Sequence, residues 1–169
     1  MSSHLTVRVV LPDEYRDLAA LTIAAYRDLL GPGLGARYQA ELADVAGRAG
    51  LVDVLVAVDA DGEVVGGIAY VPGPGPMAWF DGPDEAGLRM LAVAPPAQGR
   101  GVGAALVAAG IDRARAVGKH RLLLHTTATM TTAQRLYERS GFRRDLGRDE
   151  VIEGGTHLLA YTLVLEPAQ

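Results

Sequence analysis

The alternation of apolar and polar positions changes period several times along the chain, and each change marks an element. Thr6-Val7-Arg8-Val9-Val10-Leu11 is rich in β-branched residues and reads as a strand ended by Pro12. Pro12 suits the first turn of a helix, and Asp13 and Glu14 favour its positive end. Leu18, Thr22, Ala25 and Leu29, with Leu21 beside them, recur at helical spacing until Gly31-Pro32-Gly33 stops the helix. A second helix is expected from about Arg37 to Ala49. Val52 to Val58 and Val64 to Val71 are apolar runs joined by Asp59-Ala60-Asp61-Gly62-Glu63, whose Asp-Gly turn chemistry predicts an antiparallel hairpin.

Pro72-Gly73-Pro74-Gly75-Pro76 cannot extend that strand, because each proline lacks a backbone donor, so it reads as a loop. Gly87 to Val93 is the next strand, followed by Pro95-Pro96, a glycine cluster, and a helix with Val107, Ile111, Ala114 and Val117 on one stripe, closed by Gly118. Leu122 to Thr126 forms a short buried strand. Thr131 with Gln134 suggests a capping box for a helix running to Ser140, with Gly141 as its left-handed cap. The last strand, Thr156 to Leu165, alternates and places His157, Leu159, Tyr161, Leu163 and Leu165 on one face. Antiparallel hairpins thus combine with a βαβ crossover, which predicts an α/β or α+β three-layer fold.

The 169 residues fit one domain over 1–169, able to bury on the order of 70% of its unfolded surface. Nearly half the residues are hydrophobic and about a fifth charged, the balance of a globular protein. The net charge of −4 provides no basic field, which argues against nucleic acid as a partner. No run of about 18 apolar residues occurs and Met1 to Leu11 does not resemble a signal peptide, so a cytoplasmic location without membrane association is expected. The absence of cysteine excludes disulfides, thiolate metal sites and a cysteine acyl intermediate. His120, His125 and His157 lack the spacing and acidic companions of a metal site, so they are read as core or surface histidines and no metal is expected.

The candidate chemistry begins at Gln98-Gly99-Arg100-Gly101-Val102-Gly103. A glycine-rich turn between a strand and a helix lets several N–H groups converge on an anion at the positive helix end. Gly99 to Ala104 also satisfies the G-x-G-x-x-G/A dinucleotide pattern, but the first glycine lies six residues past Val93 and no acid follows at His125-Thr126 to hold a ribose. A P-loop is disfavoured because Gly103-Ala104-Ala105 has neither the lysine nor the hydroxyl that phosphate and magnesium need.

From Leu91-Ala92-Val93 through Gly103 the chain resembles the GNAT superfamily of N-acetyltransferases, whose acyl-CoA signature is Q/R-x-x-G-x-G/A, matched by Gln98, Gly101 and Gly103. Ala133-Gln134-Arg135-Leu136-Tyr137-Glu138-Arg139-Ser140-Gly141-Phe142 is similar to a second family segment, A-x-x-L-Y-x-x-x-G-F. The resemblance covers nearly the whole chain, although the first eighty residues match only in pattern. It implies a mixed, mostly antiparallel central sheet of about six to seven strands flanked by about four helices.

The resemblance also implies acetyl-CoA as co-substrate, with Leu91, Ala92, Val93, Gln98, Gly99, Arg100, Gly101, Val102, Gly103, Ala104, Thr126, Ala133 and Tyr137 at its binding site. The strands at Leu91 to Val93 and Leu124 to Thr126 would splay to admit the pantetheine arm. Transfer would be direct, a primary amine of a small molecule or peptide attacking the thioester while a backbone N–H near Val93 polarises the carbonyl. Tyr137 matches the family's general acid. With a tyrosine near 10 and a cysteine-like thiol near 8.5, its proton transfer is uphill by roughly 2 kcal/mol. The amine needs a base, since a lysine-like amine with a pKa near 10.4 is almost wholly protonated at neutral pH.

Where many family members carry a glutamate this chain has Gly87, and Glu85, two residues earlier on the same face, is the candidate base; its other reading is a solvated acid beside Asp84. Met130 stands where an asparagine often contacts the pantetheine. Asp81, Asp84 and Glu85 near the Pro-Gly loop would favour a cationic acceptor. Two alternatives stay open at this level: a non-catalytic acyl-CoA sensor, which has no need of Tyr137, and a transferase using another acyl-CoA. A homodimer is compatible with the sequence.

Overall fold

The protein is described here by a computed structural model covering residues 4–152 and 154–166. Strand β1 (Thr6–Val9) leads through a single 3-10 turn at Pro12–Glu14 into helix α1 (Tyr15–Leu30). The expected second helix is two, α2 (Ala36–Ala43) and α3 (Val45–Ala49). Asp44 separates them, because its carboxylate accepts the Gly47 N–H at 2.9 Å and caps a new helix instead of continuing the old one.

The hairpin forms as expected from β2 (Asp53–Val58) and β3 (Val64–Val71), and β4 (Glu85–Val93) starts two residues earlier than the pattern indicates. Helix α4 (Val102–Ala116), strand β5 (Arg121–Thr126) and helix α5 (Thr131–Arg139) follow. Short strands β6 (Arg143–Arg144) and β7 (Glu150–Val151) precede the long β8 (His157–Val164). The capping box at α5 is not made. Met130 takes the cap position, and the Gln134 amide instead donates to the carbonyls of Thr127 (2.8 Å) and Ala128 (3.3 Å), stitching the preceding turn.

The sheet order is β1-β2-β3-β4-β5-β8-β6, with β7 beside β8. Every pairing is antiparallel except β4 with β5, the βαβ crossover. Among the described residues, eight strands and five helices exceed the expected count, because β6 and β7 are two-residue pairings too short to leave a period and Asp44 divides the second helix.

Strand alternation buries both faces of the sheet. Leu55, Ala57, Ile68, Tyr70, Leu88 and Leu122 meet Leu106, Val107, Ile111 and Ala114 of α4, with Tyr137 and Phe142 beyond. Val54, Val56, Ala69, Val71 and Leu123 meet Leu18, Leu21, Ala25, Leu42 and Val45 of α1 to α3. Leu159, Tyr161, Leu163 and Leu165 share the α4–α5 side, as the alternation of the last strand predicts.

Candidate active site

The parallel pairing of β4 with β5 covers only Glu85, Ala86 and Gly87 against Arg121, Leu122 and Leu123. Beyond that point β4 stays bonded to β3 and β5 to β8, so the two strands part. A bulge reinforces the divergence: Gly67 faces Ala92 and Ala69 faces Arg89, leaving Met90 and Leu91 opposite the single residue Ile68. Met90 takes φ 55°, a left-handed conformation that costs a non-glycine residue about 1–3 kcal/mol and is retained here at the cleft.

At the open end of β4, Gln98 Nε2 donates to the Val93 carbonyl at 3.2 Å and closes the loop onto the strand. Gly99 (φ 79°) and Gly101 (φ 82°) sit in left-handed backbone where a side chain would strain, and Gly101 caps α4. The first intrahelical bond runs from Ala105 N–H to the Gly101 carbonyl, leaving the N–H groups of Val102, Gly103 and Ala104 unpaired in the helix. Three amides at a positive helix end, reached past residues without bulk, fit a diphosphate. A Cβ on Gly103 would lie 3.1 Å from Leu136 Cδ2, so glycine there also sets how closely α5 approaches α4.

Two cavities occupy the gap. The inner one, about 70 Å³, is walled by Leu91, Thr126, Ala133 and Tyr137, all expected at the coenzyme, together with Tyr26, Leu88, Arg89, Met90, His125 and Met130. The outer one, about 360 Å³, shares Tyr26, Leu88, Arg89, Met90, His125, Thr126 and Met130, and widens between Tyr38, Met77, Trp79 and the exposed Glu150 and Ile152. The shared wall makes the two one continuous cleft. Ala92 and Val93, the other strand residues expected at the coenzyme, line neither cavity: the Ala92 side chain is buried on the α1 side and Val93 packs against the α4 side.

Tyr137 is 7% exposed, its ring 6.0 Å from Phe142 and 6.2 Å from Tyr161. Burial pushes its phenol far above the usual tyrosine range, so it is protonated throughout the working pH range. Thr126 Oγ1 donates to Met130 Sδ at 3.5 Å, so the position where an asparagine was expected in relatives is tied to β5 by a thioether.

Glu85 requires a correction. It opens β4, roughly 20 Å of extended strand before Leu91, and it lines neither cavity. Its carboxylate is buried and ion-paired to Arg148, with Arg148 Nη1 3.4 Å from Oε1 and Nη2 closer still to Oε2. A carboxylate held this way is engaged as an acceptor and is not presented to an amine.

His125, read from sequence as a core or surface histidine, stands instead in the wall common to both cavities. Its Nε2 lies 3.1 Å from the Arg148 carbonyl. A carbonyl only accepts, so Nε2 carries the proton and, in the neutral ring, Nδ1 carries the lone pair. Its ring tilts against Trp79 at 5.4 Å. The carbonyl it meets is itself anchored: the Arg148 side chain bridges Glu85 and Asp145, and Arg144 pairs with Asp149 at 2.7 and 2.8 Å. That pairing, with the Ala160 N–H, holds the Asp149 carboxyl well below the usual range.

Residues 15–142 match the acetyltransferase (GNAT) family. The chain belongs to the GNAT acetyltransferases. Curated relatives of this acetyltransferase include mycothiol acetyltransferases of Pseudarthrobacter chlorophenolicus, 38% identical over 66% of this chain and 32% of the relative, and of Geodermatophilus obscurus, 42% identical over 38% and 21%. The chain therefore spans a third or less of the length of those relatives.

Among solved structures, a GCN5-related N-acetyltransferase from Kribbella flavida is 28% identical over 95% of this chain and 98% of its own, with TM-score 0.70. A GNAT family acetyltransferase from Brucella melitensis in complex with acetyl-CoA is 24% identical over 98% and 91%, with TM-score 0.67, and shares the fold. Among the described residues of this acetyltransferase, no helix is long and apolar enough to cross a membrane, and no group of three His, Asp or Glu side chains is placed to hold a metal.

Proposed function

We propose that this chain, acting as one domain, moves the acetyl group of acetyl-CoA directly to a primary amine of a small molecule or peptide. The observation that carries this reading is the shared wall of the two cavities: the inner one is lined by Leu91, Ala133 and Tyr137, and the outer one by the exposed Glu150 and Ile152. One cleft thus brings two reactants together from opposite sides. The name of the curated relatives favours a small-molecule acceptor.

Bound acetyl-CoA would supply an acyl group activated as a thioester. The amides of Val102, Gly103 and Ala104 would hold its diphosphate, and Leu91, Thr126, Ala133 and Met130 would flank its pantetheine. Of the side chains lining both cavities, the His125 imidazole is the one with a basic ring nitrogen: the Arg89 guanidinium has donors and no acceptor, and burial holds the Tyr26 phenol protonated. His125 Nδ1 takes the proton that the ammonium form of the acceptor must lose before its nitrogen attacks, and the N–C bond then forms as the C–S bond breaks. Tyr137 donates to the departing sulfur. Because its phenol is a weaker acid than an exposed one, its contribution lies in a hydrogen bond to the developing charge more than in a completed proton transfer. Glu85 acts at one remove, anchoring the Arg148 whose carbonyl sets the His125 tautomer.

Calorimetric titration with acetyl-CoA and thiol release over a panel of amines and peptides test the reading. Binding with amine-dependent release is the expected result; no release from any amine would overturn it. His125→Gln, which keeps a donor for the Arg148 carbonyl, is expected to lower kcat/KM at neutral pH by about 10²- to 10⁴-fold. The loss should shrink as pH approaches the amine's own pKa near 10, where the acceptor arrives unprotonated. A loss of equal size at every pH would mean that His125 only supports the wall.

A further inference from the structure

Resting on the transfer reading above, we propose that the acceptor carries a carboxylate or a similarly compact anionic group beside its amine, and that Arg89 binds that group.

Arg89 lies on β4, half-buried, in the wall common to both cavities. Its guanidinium is held in position from two sides. Nη1 donates to the Met77 carbonyl at 2.9 Å, and Cζ lies 5.9 Å from the centre of the Trp79 ring. Met77 itself adopts φ 70°, a left-handed conformation for a non-glycine residue, and its carbonyl is the one that meets the guanidinium.

Among the described residues, no acid pairs with this guanidinium. Six ion pairs form among the described residues, and none includes Arg89. Arginine is rarely withdrawn from water without a counter-charge, and a backbone carbonyl satisfies only one of its five N–H groups. The planar fork that remains matches the two oxygens of a carboxylate.

The local field points the same way. Arg48, buried behind Tyr26 and Tyr38, spends its hydrogen bonds on the carbonyls of Glu41 and Leu42. Burial is the main reason its proton is held less tightly than usual, Asp44 opposes that effect, and Arg89 adds repulsion. Arg48 therefore adds a second positive charge near Arg89 without lining the cleft. Among the described residues, the one acid lining the outer cavity is Glu150, which is exposed. An acceptor with a positive amine and a negative group fits that polarity, with its anion on Arg89 and its amine toward His125.

The test compares thiol release from α- and ω-amino acids with release from their uncharged carboxamides, in the wild type, Arg89→Gln and Arg89→Lys, with acetyl-CoA affinity measured by calorimetry and folding by circular dichroism. The expected result is a preference for the acid over its amide of roughly 10- to 100-fold in kcat/KM. Arg89→Gln should abolish that preference through KM with acetyl-CoA affinity unchanged, and Arg89→Lys should keep part of it. Equal turnover of acids and amides would overturn the proposal. So would an Arg89→Gln variant that is folded, keeps the preference and loses affinity for acetyl-CoA, since Arg89 would then serve the coenzyme. Release from no amine at all, with acetyl-CoA bound, would refute the transfer reading, and this proposal would fall with it.

Discussion

Tyr137→Phe is expected to lower kcat by about 10²- to 10⁴-fold while acetyl-CoA binds with unchanged affinity. The substitution removes one oxygen and leaves the ring, whose edge contacts with Phe142 and Tyr161 fix its place in the wall. In the proposed mechanism the hydroxyl meets the departing sulfur, and a hydrogen bond aimed at charge that develops only in the transition state affects turnover more than binding. Steady-state thiol release at saturating acetyl-CoA reads kcat, and calorimetry reads affinity. An unchanged kcat would remove Tyr137 from the mechanism. A parallel loss of binding would mean that the phenol holds the coenzyme.

The largest stability effect is expected at Leu106. This α4 residue is 0% exposed, between Gly66 of β3 and the rest of the α4 core, and a Cβ on Gly66 would lie only 3.0 Å from its Cδ1. Leu106→Ala leaves a void in a contact packed too closely to collapse, at a cost of about 2–5 kcal/mol. For a chain of this size each kcal/mol lowers Tm by about 2–4 °C, so thermal unfolding should move down by roughly 4–20 °C. Leu106→Met keeps the volume and should cost less than about 1.5 kcal/mol. A shift for Leu106→Ala no larger than that for Leu106→Met would show that α4 can settle onto the sheet, and the close fit at Gly66 would then carry no energetic weight.

The elements were legible in the sequence wherever a periodic pattern or a punctuating residue recorded them. The apolar runs of β2 and β3 with their Asp-Gly turn, the alternation of β8, the helical stripe of α4, and the glycines at 99 and 101 are local facts about backbone preference, and local facts survive folding unchanged. The same holds for Leu91, Thr126, Ala133 and Tyr137, whose neighbours along the chain form recognisable segments and which do line the inner cavity. Errors arose where a side chain chose its own partner, as when Asp44 broke a helix to cap the next or Gln134 turned to carbonyls behind it.

By itself, then, the sequence determined a three-layer fold, and it singled out a glycine-capped helix start and a tyrosine as candidates for coenzyme chemistry, because each rests on residues within a few positions of one another. Only the tertiary structure decided which side chains meet across the cleft. Glu85 finds Arg148 63 residues away, and that arginine's carbonyl in turn orients His125. Tyr26, Trp79, Arg89 and Glu150 converge from distant segments because β4 bulges at Met90 and parts from β5 after three paired residues. No period along the chain encodes those meetings, since long-range packing and the pairing of buried charge set them.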